Sequence, residues 1–508
     1  MTEKGKKLLE AAKNGGCAIV GMGVSNVPLA EYLLSLGGKI TLRDAKEREK
    51  LSPKIAELEA AGGELICGTE YLNELNEAVI FRAPGLRPDI AEFKNAEENG
   101  AEITCEAELF MEICPAFTVG ITGSDGKTTT TTLTHLLISE AMKLENEERR
   151  AFIGGNIGIP LIPLTRELRE CDIAVCELSS FQLQRAERSA DVAVITNLSP
   201  NHLNWHTDMD EYVHAKTNIY RHGECKTLVT NAENAICAEL AKKLIAQSSA
   251  SEVSANRFFA TLENDGLRTE SEGSCAKTRV TLFSSDKRPE SGNDRIWLEG
   301  GIIYYEAEGK TPFALFDEKE ILLPGKHNRE NYMAACAATV ACGYSPETVK
   351  KAMANIAPVF GGVEHRLELV REKDGVRYYN SSIDSSPTRT AAALSTFKDK
   401  NSILICGGSD KNIPFDPLAE NLNLKAKAVV LTGEAGPKID AALERCPLTA
   451  ASGLIIVREP NFDKAVYAAC ALAAEGDRVI LSPACASFDA FPNFEVRGRH
   501  FKELVKNL

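Results

Sequence analysis

The sequence has no apolar run long enough to cross a bilayer, which argues against a membrane-spanning protein. Its 15 cysteines include no CxxC pair, so structural zinc is not expected, and their odd number and scattered positions favour free thiols in a reducing compartment. Basic residues are in deficit: 58 lysines and arginines stand against 72 aspartates and glutamates, which gives a formal net charge of -14. This balance argues against a nucleic-acid or membrane-surface partner. We therefore expect a cytoplasmic protein with neither kind of partner.

The composition that is present is typical of a globular enzyme, with 44% hydrophobic and 26% charged residues. A chain of 508 residues is too long for one ordinary core, so we expect two to four domains. The basic N-terminus is followed only by the short apolar stretch CAIVGMG (17–23). This stretch predicts a buried strand and not a signal peptide.

Short apolar runs alternate with helical patterns along most of the chain. The clearest are CAIVGMG, AVIFRAPG, FTVGITG, IAVCELSS, VAVITNLS, SILICGG, AVVLTG and RVILSPA. Runs of this length that end in Gly, Ser or Pro are typical of buried parallel strands. The alternation predicts doubly wound α/β domains, in which ligands bind at the carboxyl ends of the strands. Between them, the polar stretch 246–296 predicts surface loops and hairpins.

Two breaks in the pattern divide this α/β chain into three predicted domains. Pro115 precedes a new strand, and Pro358, Gly361 and Gly362 follow a helical stretch. We predict a Rossmann-like domain over 1–115, a central P-loop ATPase-type domain with a parallel sheet over 116–361, and a Rossmann-like domain over 362–508.

The stretch GITGSDGKTTTTTL (120–133) predicts a phosphate-binding turn between a strand and a helix. Glycines allow backbone N–H groups to converge on phosphate oxygens, the lysine can neutralise charge, and a threonine can bind Mg²⁺. The residues expected to contact ATP here are Gly123, Ser124, Asp125, Gly126, Lys127, Thr128 and Thr129. The strict spacing GxxxxGK is not met, because Ile121 stands where its first glycine would be. The alternative is an ordinary capped turn before a helix.

Three further residues indicate a functional site only when they are considered together. Glu177 ends an apolar run, His202 follows the next run, and Lys216 lies on a predicted helix in the pattern Y-x-x-A-K. A carboxylate at a strand end suits Mg²⁺, which prefers hard oxygen ligands. Taken singly, each is more often an exposed turn residue, a structural histidine or a surface lysine.

The segment VGMGVSNVPLAEYLLSLGGKITLRDAK (20–46) favours a different interpretation. Gly21, Gly23 and Asp44 fit a dinucleotide-binding fingerprint, but Asn26 stands where its third glycine would be. This partial match leaves a nicotinamide-dependent dehydrogenase open as an alternative.

An ordered set of motifs decides between these interpretations. It consists of GITGSDGKT, GGNIG (154–158), ELSSFQL (177–183), NHLNWH (201–206), YVHAK (212–216), GKHNRENYMAACAA (325–338), EHR (364–366) and SPACASFDAFPNFEVRG (482–498). Together they resemble the Mur ligase family of ATP-dependent, amide-forming enzymes over essentially the whole chain. The motifs ELSSFQL and SPACASFDAFPNFEVRG are most similar to those of members that add D-glutamate to UDP-N-acetylmuramoyl-L-alanine, a step of peptidoglycan precursor synthesis.

The resemblance implies a reaction and a set of residues. ATP phosphorylates the acceptor carboxylate, and the amine of the amino acid attacks the acyl phosphate. The implied cofactors are ATP and two Mg²⁺ ions, with a carbamate on Lys216 as an anionic ligand. The implied catalytic residues are Lys127, Glu177, His202, Lys216 and Arg366, and the implied metal ligands are Thr128, Glu177, His202 and Lys216. Further ATP contacts are Asn328, Asn331 and Arg366.

The resemblance also implies two substrate sites and, we expect, a monomer. The UDP-substrate contacts would be Ser25, Asn26, Asp44, Gly85, Asn156, Ser179 and Gln182. The D-glutamate contacts would be Ser385, Lys411, Ser487 and Phe494. The plainer alternative for the D-glutamate contacts is that they are solvated loop residues, and the plainer alternative for Asn328 and Asn331 is helix capping.

One segment departs from the family pattern. Family members commonly read NDSKAT or NDSIAS where this chain has NSSIDSSPTRT, so Ser381 replaces an expected aspartate. We hypothesise that Asp384 supplies the displaced carboxylate. A sibling ligase with another amino acid, a folylpolyglutamate-type ligase and a non-catalytic nucleotide-binding scaffold are the remaining alternatives.

Overall fold

The computed structural model describes residues 1–156, 159–203, 205–249, 278–323, 325–397, 399–410 and 413–508. In this part of the chain the strands form three sheets. The chain divides into two compact units, one of residues 1–320 and 329–356 and the other of residues 321–328 and 357–508. No disulfide joins any two of the described cysteines. Of the helices described here, none has the length and apolar character that a membrane span needs.

The first sheet is parallel and has five strands in the order β3-β2-β1-β4-β5. Its strands are β1 (Cys17–Val20), β2 (Ile40–Asp44), β3 (Glu64–Cys67), β4 (Val79–Arg82) and β5 (Glu102–Thr104), and its helices are α1 (Glu3–Lys13), α2 (Asn26–Ser35), α3 (Lys54–Ala60), α4 (Ala91–Glu98) and α5 (Glu106–Ile113). Every residue of β1 and β4 is buried, because helices cover both faces of such a sheet.

The second sheet has nine strands in the order β14-β13-β12-β11-β10-β9-β6-β8-β7. Its strands are β6 (Phe117–Thr122), β7 (Ala151–Gly155), β8 (Ile173–Glu177), β9 (Val192–Ile195), β10 (Thr227–Asn231), β11 (Arg279–Ser284), β12 (Asp294–Glu299), β13 (Ile302–Glu306) and β14 (Phe313–Asp317). Strands β6 to β12 run parallel, and β13 and β14 extend the sheet as antiparallel strands.

The helices that follow these strands are α6 (Lys127–Leu144), α7 (Ser180–Leu183), α8 (Met209–Thr217), α9 (Ala235–Ser249), α10 (Lys326–Ala341) and α11 (Pro346–Ile356). Strand β6 lies between β8 and β9, with Ile121 paired to Glu177 and Thr122 paired to Ile195. The turn after β6 is therefore flanked by the carboxyl ends of its two neighbours. This strand order positions the candidate site.

The third sheet lies in the second unit, with six strands in the order β15-β16-β20-β17-β18-β19. Its strands are β15 (Glu368–Lys373), β16 (Val376–Asn380), β17 (Ser402–Gly407), β18 (Ala426–Thr432), β19 (Ile455–Arg458) and β20 (Arg478–Leu481), and its helices are α12 (Pro387–Ser395), α13 (Asp416–Lys425), α14 (Gly436–Arg445), α15 (Thr449–Ser452), α16 (Phe462–Leu472) and α17 (Phe494–Lys506). Strand β15 pairs antiparallel with β16, and the other pairs of this sheet are parallel.

The predicted α/β fold class is confirmed, and each of the eight apolar runs contains a strand. The domain boundaries at 115/116 and 361/362 stay predictions.

Candidate active site

Two glycines shape the turn between β6 and α6. Gly123 has a φ of +148° and Gly126 a φ of +78°, a region that other residues rarely adopt. A Cβ on Gly123 would overlap the hydroxyl of Thr196, and a Cβ on Gly126 would overlap the amide of Asn331. The backbone therefore approaches its neighbours closely at both ends of the turn. The turn leads into a helix N-terminus, which favours an anion.

Lys127 is the first residue of α6, and its ammonium folds back over the turn. Nζ donates to the carbonyl oxygens of Gly123 at 2.8 Å and Ser124 at 2.9 Å. The Ser124 hydroxyl is hydrogen-bonded to the hydroxyl of Tyr212 at 2.8 Å. Tyr212 thus connects the turn to α8, a contact that sequence reasoning misses when it considers only the apolar character of Tyr212. The pattern Y-x-x-A-K is the feature of the sequence that marks Tyr212 together with Lys216.

Lys216 lies under the same turn and is only 2% exposed. Its Nζ donates to Thr122 Oγ1 at 3.1 Å and to the carbonyl oxygen of Gly123 at 2.8 Å. Burial, and then the nearby Lys127, hold the pKa of Lys216 well below its ordinary value. A lysine in this environment favours its neutral amine form, which is the nucleophilic form.

Glu177 ends β8 beside the turn and is 1% exposed. Its Oε1 accepts a hydrogen bond from Asn156 Nδ2 at 2.9 Å, and its Oε2 has no hydrogen-bond partner among the described residues. A buried carboxylate oxygen without a partner is costly, and a cation would satisfy it. Carboxylate oxygens are ligands that Mg²⁺ prefers, so this position fits a metal.

His202 lies in the loop after β9 and adopts a left-handed backbone conformation with a φ of +56°. Partial desolvation, followed by Lys127 and Lys216, lowers the pKa of its imidazole, which favours a neutral ring with a nitrogen available to a cation. His206, four residues later, is 2% exposed and is hydrogen-bonded through Nε2 to Ser180 Oγ at 2.9 Å. The second histidine of the motif is therefore packed into the structure.

Two asparagines of α10 are predicted to contact ATP. Asn331 Oδ1 accepts a hydrogen bond from Thr130 Oγ1 at 3.2 Å, on the helix that follows the phosphate turn. Asn328 is buried in the first turn of α10, where its backbone N–H donates to the carbonyl oxygen of Gly325 at 3.2 Å. Their contacts with ATP stay predictions.

In the first sheet, side chains of the predicted UDP site shape the turn after β1. Asn26 Nδ2 donates to the carbonyl oxygens of Val20 at 3.2 Å and Gly21 at 2.9 Å. Asp44 Oδ2 accepts from the backbone N–H of Met22 at 2.7 Å. The neighbouring Ser25 is half-buried at the start of α2. These contacts explain the partial dinucleotide fingerprint, because they form a tight turn at a strand end.

Other predicted UDP-site residues lie at the carboxyl ends of β4 and β8. The carbonyl oxygen of Gly85 accepts from Trp205 Nε1 at 2.9 Å. Ser179 and Gln182 form a capping box at the start of α7, in which Gln182 Oε1 accepts from the Ser179 N–H at 2.9 Å. The substrate contacts of Ser179 and Gln182 stay predictions. The motif NHLNWH includes Trp205, but the sequence alone does not predict the contact of Trp205 with Gly85.

In the second unit, Arg366 lies in an unusual turn. Its neighbours His365 and Leu367 have φ angles of +66° and +47°, and its N–H donates to the carbonyl oxygen of Val363 at 2.9 Å. Residues other than glycine in this region are uncommon and often mark functional segments. His365 is 4% exposed, and its Nδ1 is hydrogen-bonded to Asn380 Nδ2 at 2.9 Å.

The predicted D-glutamate contacts lie in this unit, except that Lys411 falls outside the described residues. The Phe494 ring lies 5.8 Å from the His365 ring in an edge-to-face arrangement. Ser487 is 2% exposed, and its carbonyl oxygen accepts from the N–H of Phe491 at 2.8 Å. Ser385 is half-buried, and its N–H donates to the carbonyl oxygen of Ile383 at 2.7 Å. Their contacts with D-glutamate stay predictions.

The two positions that depart from the family pattern, Ser381 and Asp384, are buried. Ser381 is 2% exposed, and its hydroxyl oxygen accepts from the N–H of Leu367 at 3.0 Å. Asp384 Oδ2 accepts from Ser482 Oγ at 2.8 Å, and burial raises the pKa of this carboxyl. Asp384 therefore already has a partner inside the unit, and its role toward ATP stays a hypothesis.

Comparison with known proteins gives the family. Residues 121–339 match the Mur ligase middle domain, and residues 365–485 match the Mur ligase glutamate ligase domain. The chain is 44% identical over 499 residues to the UDP-N-acetylmuramoylalanine–D-glutamate ligase of Clostridium novyi, covering 98% of this chain and 97% of that protein. The chain belongs to the Mur ligase family. It is also 42% identical over 514 residues to the ligase of the same name from Ruminiclostridium cellulolyticum, with 100% of both chains covered.

Two solved structures share the fold of this Mur ligase. UDP-N-acetylmuramate–alanine ligase MurC from Thermotoga maritima gives a TM-score of 0.51 at 18% identity, over 97% of this chain and 99% of that one. A UDP-N-acetylmuramoyl-L-alanyl-D-glutamate–2,6-diaminopimelate ligase gives a TM-score of 0.52 at 18% identity, over 89% of both chains. As a Mur ligase, the protein is an ATP-dependent enzyme that forms amide bonds. The dehydrogenase and scaffold interpretations are thereby set aside.

Proposed function

We propose that this Mur ligase adds D-glutamate to UDP-N-acetylmuramoyl-L-alanine in peptidoglycan precursor synthesis. The names of its relatives support these substrates, as does the sequence SPACASFDAFPNF (482–494). A carboxylate is a poor electrophile, so the acceptor carboxylate first takes the γ-phosphoryl group of ATP and releases ADP. The amine of D-glutamate then attacks the carbonyl carbon of the acyl phosphate. The tetrahedral intermediate releases phosphate and leaves the amide.

Catalysis of this kind depends mainly on positioning and charge neutralisation. Bound Mg²⁺ would neutralise the charge that develops on the phosphoryl oxygens. Lys127 and Thr128 bind the phosphates and one cation. Glu177, His202 and Lys216 would hold a second cation, which would neutralise charge during the reaction of the acceptor carboxylate.

One observation carries this proposal: a buried amine of lowered pKa and a buried carboxylate oxygen, unpartnered within the described chain, flank the same turn. The neutral amine of Lys216 can add to CO₂ with loss of a proton, and the product is an anionic carbamate. The carbamate and Oε2 of Glu177 would then both offer oxygen ligands to a cation. An ammonium at the same place would repel that cation.

The remaining residues complete the proposal. Asn328, Asn331 and Arg366 contact ATP, as the family resemblance implies. The UDP group is bound by Ser25, Asn26, Asp44, Gly85, Asn156, Ser179 and Gln182, and D-glutamate by Ser385, Lys411, Ser487 and Phe494. The enzyme acts as a cytoplasmic monomer with domains at 1–115, 116–361 and 362–508.

Phosphate release tests the substrates. The enzyme is given ATP, Mg²⁺ and UDP-N-acetylmuramoyl-L-alanine with D-glutamate, L-glutamate, L-lysine or no amino acid. We expect sustained release and a new amide product with D-glutamate alone. Equal or faster turnover with L-lysine would refute the proposed amino acid, and no turnover with this acceptor would refute the proposed acceptor.

A further inference from the structure

The loop that carries His202 is joined to the turn after β4 by contacts that the proposed chemistry does not use. Trp205 Nε1 donates to the carbonyl oxygen of Gly85 at 2.9 Å. Arg87 donates to the carbonyl oxygen of Trp205, and its guanidinium lies 5.1 Å from the centre of the Trp205 ring. These contacts connect residues that lie far apart in the sequence and that follow interior strands of two different sheets, β4 and β9.

The same arginine reaches the helix that carries Lys216. Arg87 Nη2 pairs with Glu211 Oε1 at 3.1 Å, and Glu211 lies on α8 before Lys216. Gln184 Nε2 also donates to Glu211 Oε1 at 2.8 Å. The side chains of Arg87 and Glu211 are 23% and 18% exposed, so solvent screens this pair less than a pair on the open surface.

Aromatic packing continues the connection towards His202. The Trp205 ring lies 4.5 Å from the Phe181 ring, which lies 5.0 Å from the His202 ring. The carbonyl oxygen of Phe181 accepts from Arg82 Nη2 at 2.9 Å, at the end of β4. Offset or edge-on ring pairs at these separations are favourable and restrict orientation.

We infer that Trp205, supported by Arg87 and Glu211, is a positioning residue that fixes the turn at Gly85 relative to His202 and Lys216. This inference rests on the proposed function. In that proposed function, the diphosphate end of the acceptor binds at the first sheet, and the carboxylate of the acceptor reacts beside the phosphate turn. One substrate then spans both places, and an error of about 1 Å in their separation can cost about a hundredfold in rate. The indole hydrogen bond and the arginine pair hold that separation.

The first test measures acceptor binding to the full-length enzyme without ATP, Mg²⁺ or amino acid. Trp205→Phe keeps an aromatic ring and removes the N–H donor, and Arg87→Met removes the guanidinium. Because one such hydrogen bond contributes about 1 kcal/mol, we expect the Kd of UDP-N-acetylmuramoyl-L-alanine from calorimetry to rise about fivefold in each variant.

A matched pair of controls lies elsewhere in the central sheet. Arg288 lies 5.5 Å from the Trp297 ring and pairs with Glu306 at 2.6 Å. Trp297 belongs to β12, which three strands separate from β6. Trp297→Phe and Arg288→Met change the same kinds of contact away from the site, so we expect the acceptor Kd to stay within about twofold of wild type.

The second test separates positioning from general loss of structure. In Trp205→Phe we expect the acceptor KM to rise with the Kd, while the ATP KM stays within about twofold of that of Trp297→Phe. In Trp297→Phe, Trp205 is the sole tryptophan. Its emission should therefore change saturably with the acceptor, at the concentration that calorimetry gives.

Unchanged acceptor affinity in both Trp205→Phe and Arg87→Met would overturn the inference, and so would an emission that the acceptor does not alter. An equal rise in the KM of ATP and acceptor would also overturn it, because that result indicates general damage. Failure of the proposed function is distinguishable: wild type would bind the acceptor yet release no phosphate with D-glutamate, and the binding comparison would still decide the role of Trp205.

Discussion

Lys127 and Lys216 donate to one and the same carbonyl oxygen, that of Gly123, each at 2.8 Å. Two ammonium groups at such a separation repel each other, and burial of Lys216 strengthens the effect. The pKa of Lys216 is lowered by both causes. Conversion of this amine to a carbamate would replace one of two adjacent cations by an anion. The arrangement therefore supports the proposal that Lys216, and not Lys127, is the lysine that carries a carbamate.

Replacement of Lys216 by methionine should lower the rate of phosphate release by at least about a hundredfold, because the anionic ligand is lost. In Lys216→Ala, whose short side chain leaves volume free beside the turn, a short carboxylate such as acetate should restore part of the rate. Lys226→Met, at a lysine whose side chain is 63% exposed, is the control. Native mass spectrometry should show one added CO₂ in wild type and none in Lys216→Met. Full activity of Lys216→Met would contradict the prediction.

Glu177→Gln should change activity and stability in opposite directions. The amide keeps the hydrogen bond from Asn156, but it has no charge for a cation, so the Mg²⁺ concentration for half-maximal rate should rise at least about tenfold. Without Mg²⁺, the melting temperature should be unchanged or higher, because burial of a neutral amide costs less than burial of a carboxylate. Glu187→Gln, whose side chain is 66% exposed, is the control. A lower melting temperature with an unchanged Mg²⁺ requirement would show that Glu177 is only structural.

Gly126→Ala should impair ATP binding more than a comparable substitution does at another glycine of positive φ. An alanine at a φ of +78° costs about 1 kcal/mol, and its Cβ would also overlap the amide of Asn331. Gly37→Ala is a matched control, since Gly37 has a φ of +82° and open space where the Cβ of an alanine would lie. Denaturant unfolding should show a loss of about 1 kcal/mol in the control and more in Gly126→Ala. Equal ATP affinity of the two variants would contradict this account of the turn.

The buried His206 should make the folded state sensitive to acid. Burial is the main cause that lowers its pKa to about 4, below an ordinary value of 6.5. Between these values the unfolded chain binds a proton that the folded chain does not, so the contribution of His206 to stability is complete above pH 6.5 and is lost as the pH falls towards 4. The free energy of unfolding of wild type minus that of His206→Gln should therefore decrease over this interval. A constant difference would contradict the prediction.

The effect of restoring the family aspartate at position 381 on stability and on the ATP KM should depend on the residue at position 384. Ser381 and Asp384 lie together, since the Asp384 N–H donates to the carbonyl oxygen of Ser381 at 2.9 Å and both side chains are buried. Ser381→Asp alone adds a second buried carboxylate and should destabilise the protein by about 1–3 kcal/mol. Adding Asp384→Ala should recover most of that loss and lower the ATP KM. If the double variant is less stable than Ser381→Asp, the two positions do not compensate each other.

Several features of this protein follow from the order of residues alone. Runs such as IAVCE (173–177) and SILICG (402–407) are mostly apolar and are bounded by turn residues, which is typical of strands buried on both faces. The predicted phosphate turn is likewise local in sequence, whereas the family relationship follows from the order of several motifs along the chain. The strand RVTLFS (279–284) is harder to predict, because it lies in the polar stretch 246–296, whose composition favours surface loops and hairpins.

Other features depended on the tertiary structure. Strand order is not encoded in any single segment, yet the placement of β6 between β8 and β9 is what brings Glu177 beside the phosphate turn. The contact of Trp205 with Gly85 and that of Tyr212 with Ser124 join residues far apart in the chain. The pattern Y-x-x-A-K marks Tyr212, but it does not identify the partner of Tyr212, which only the fold provides. Sequence determined which side chains are candidates for the chemistry, because residue type sets charge and ligand preference. The fold decided their burial, and burial is what favours a neutral amine at position 216 and leaves one oxygen of Glu177 without a partner among the described residues.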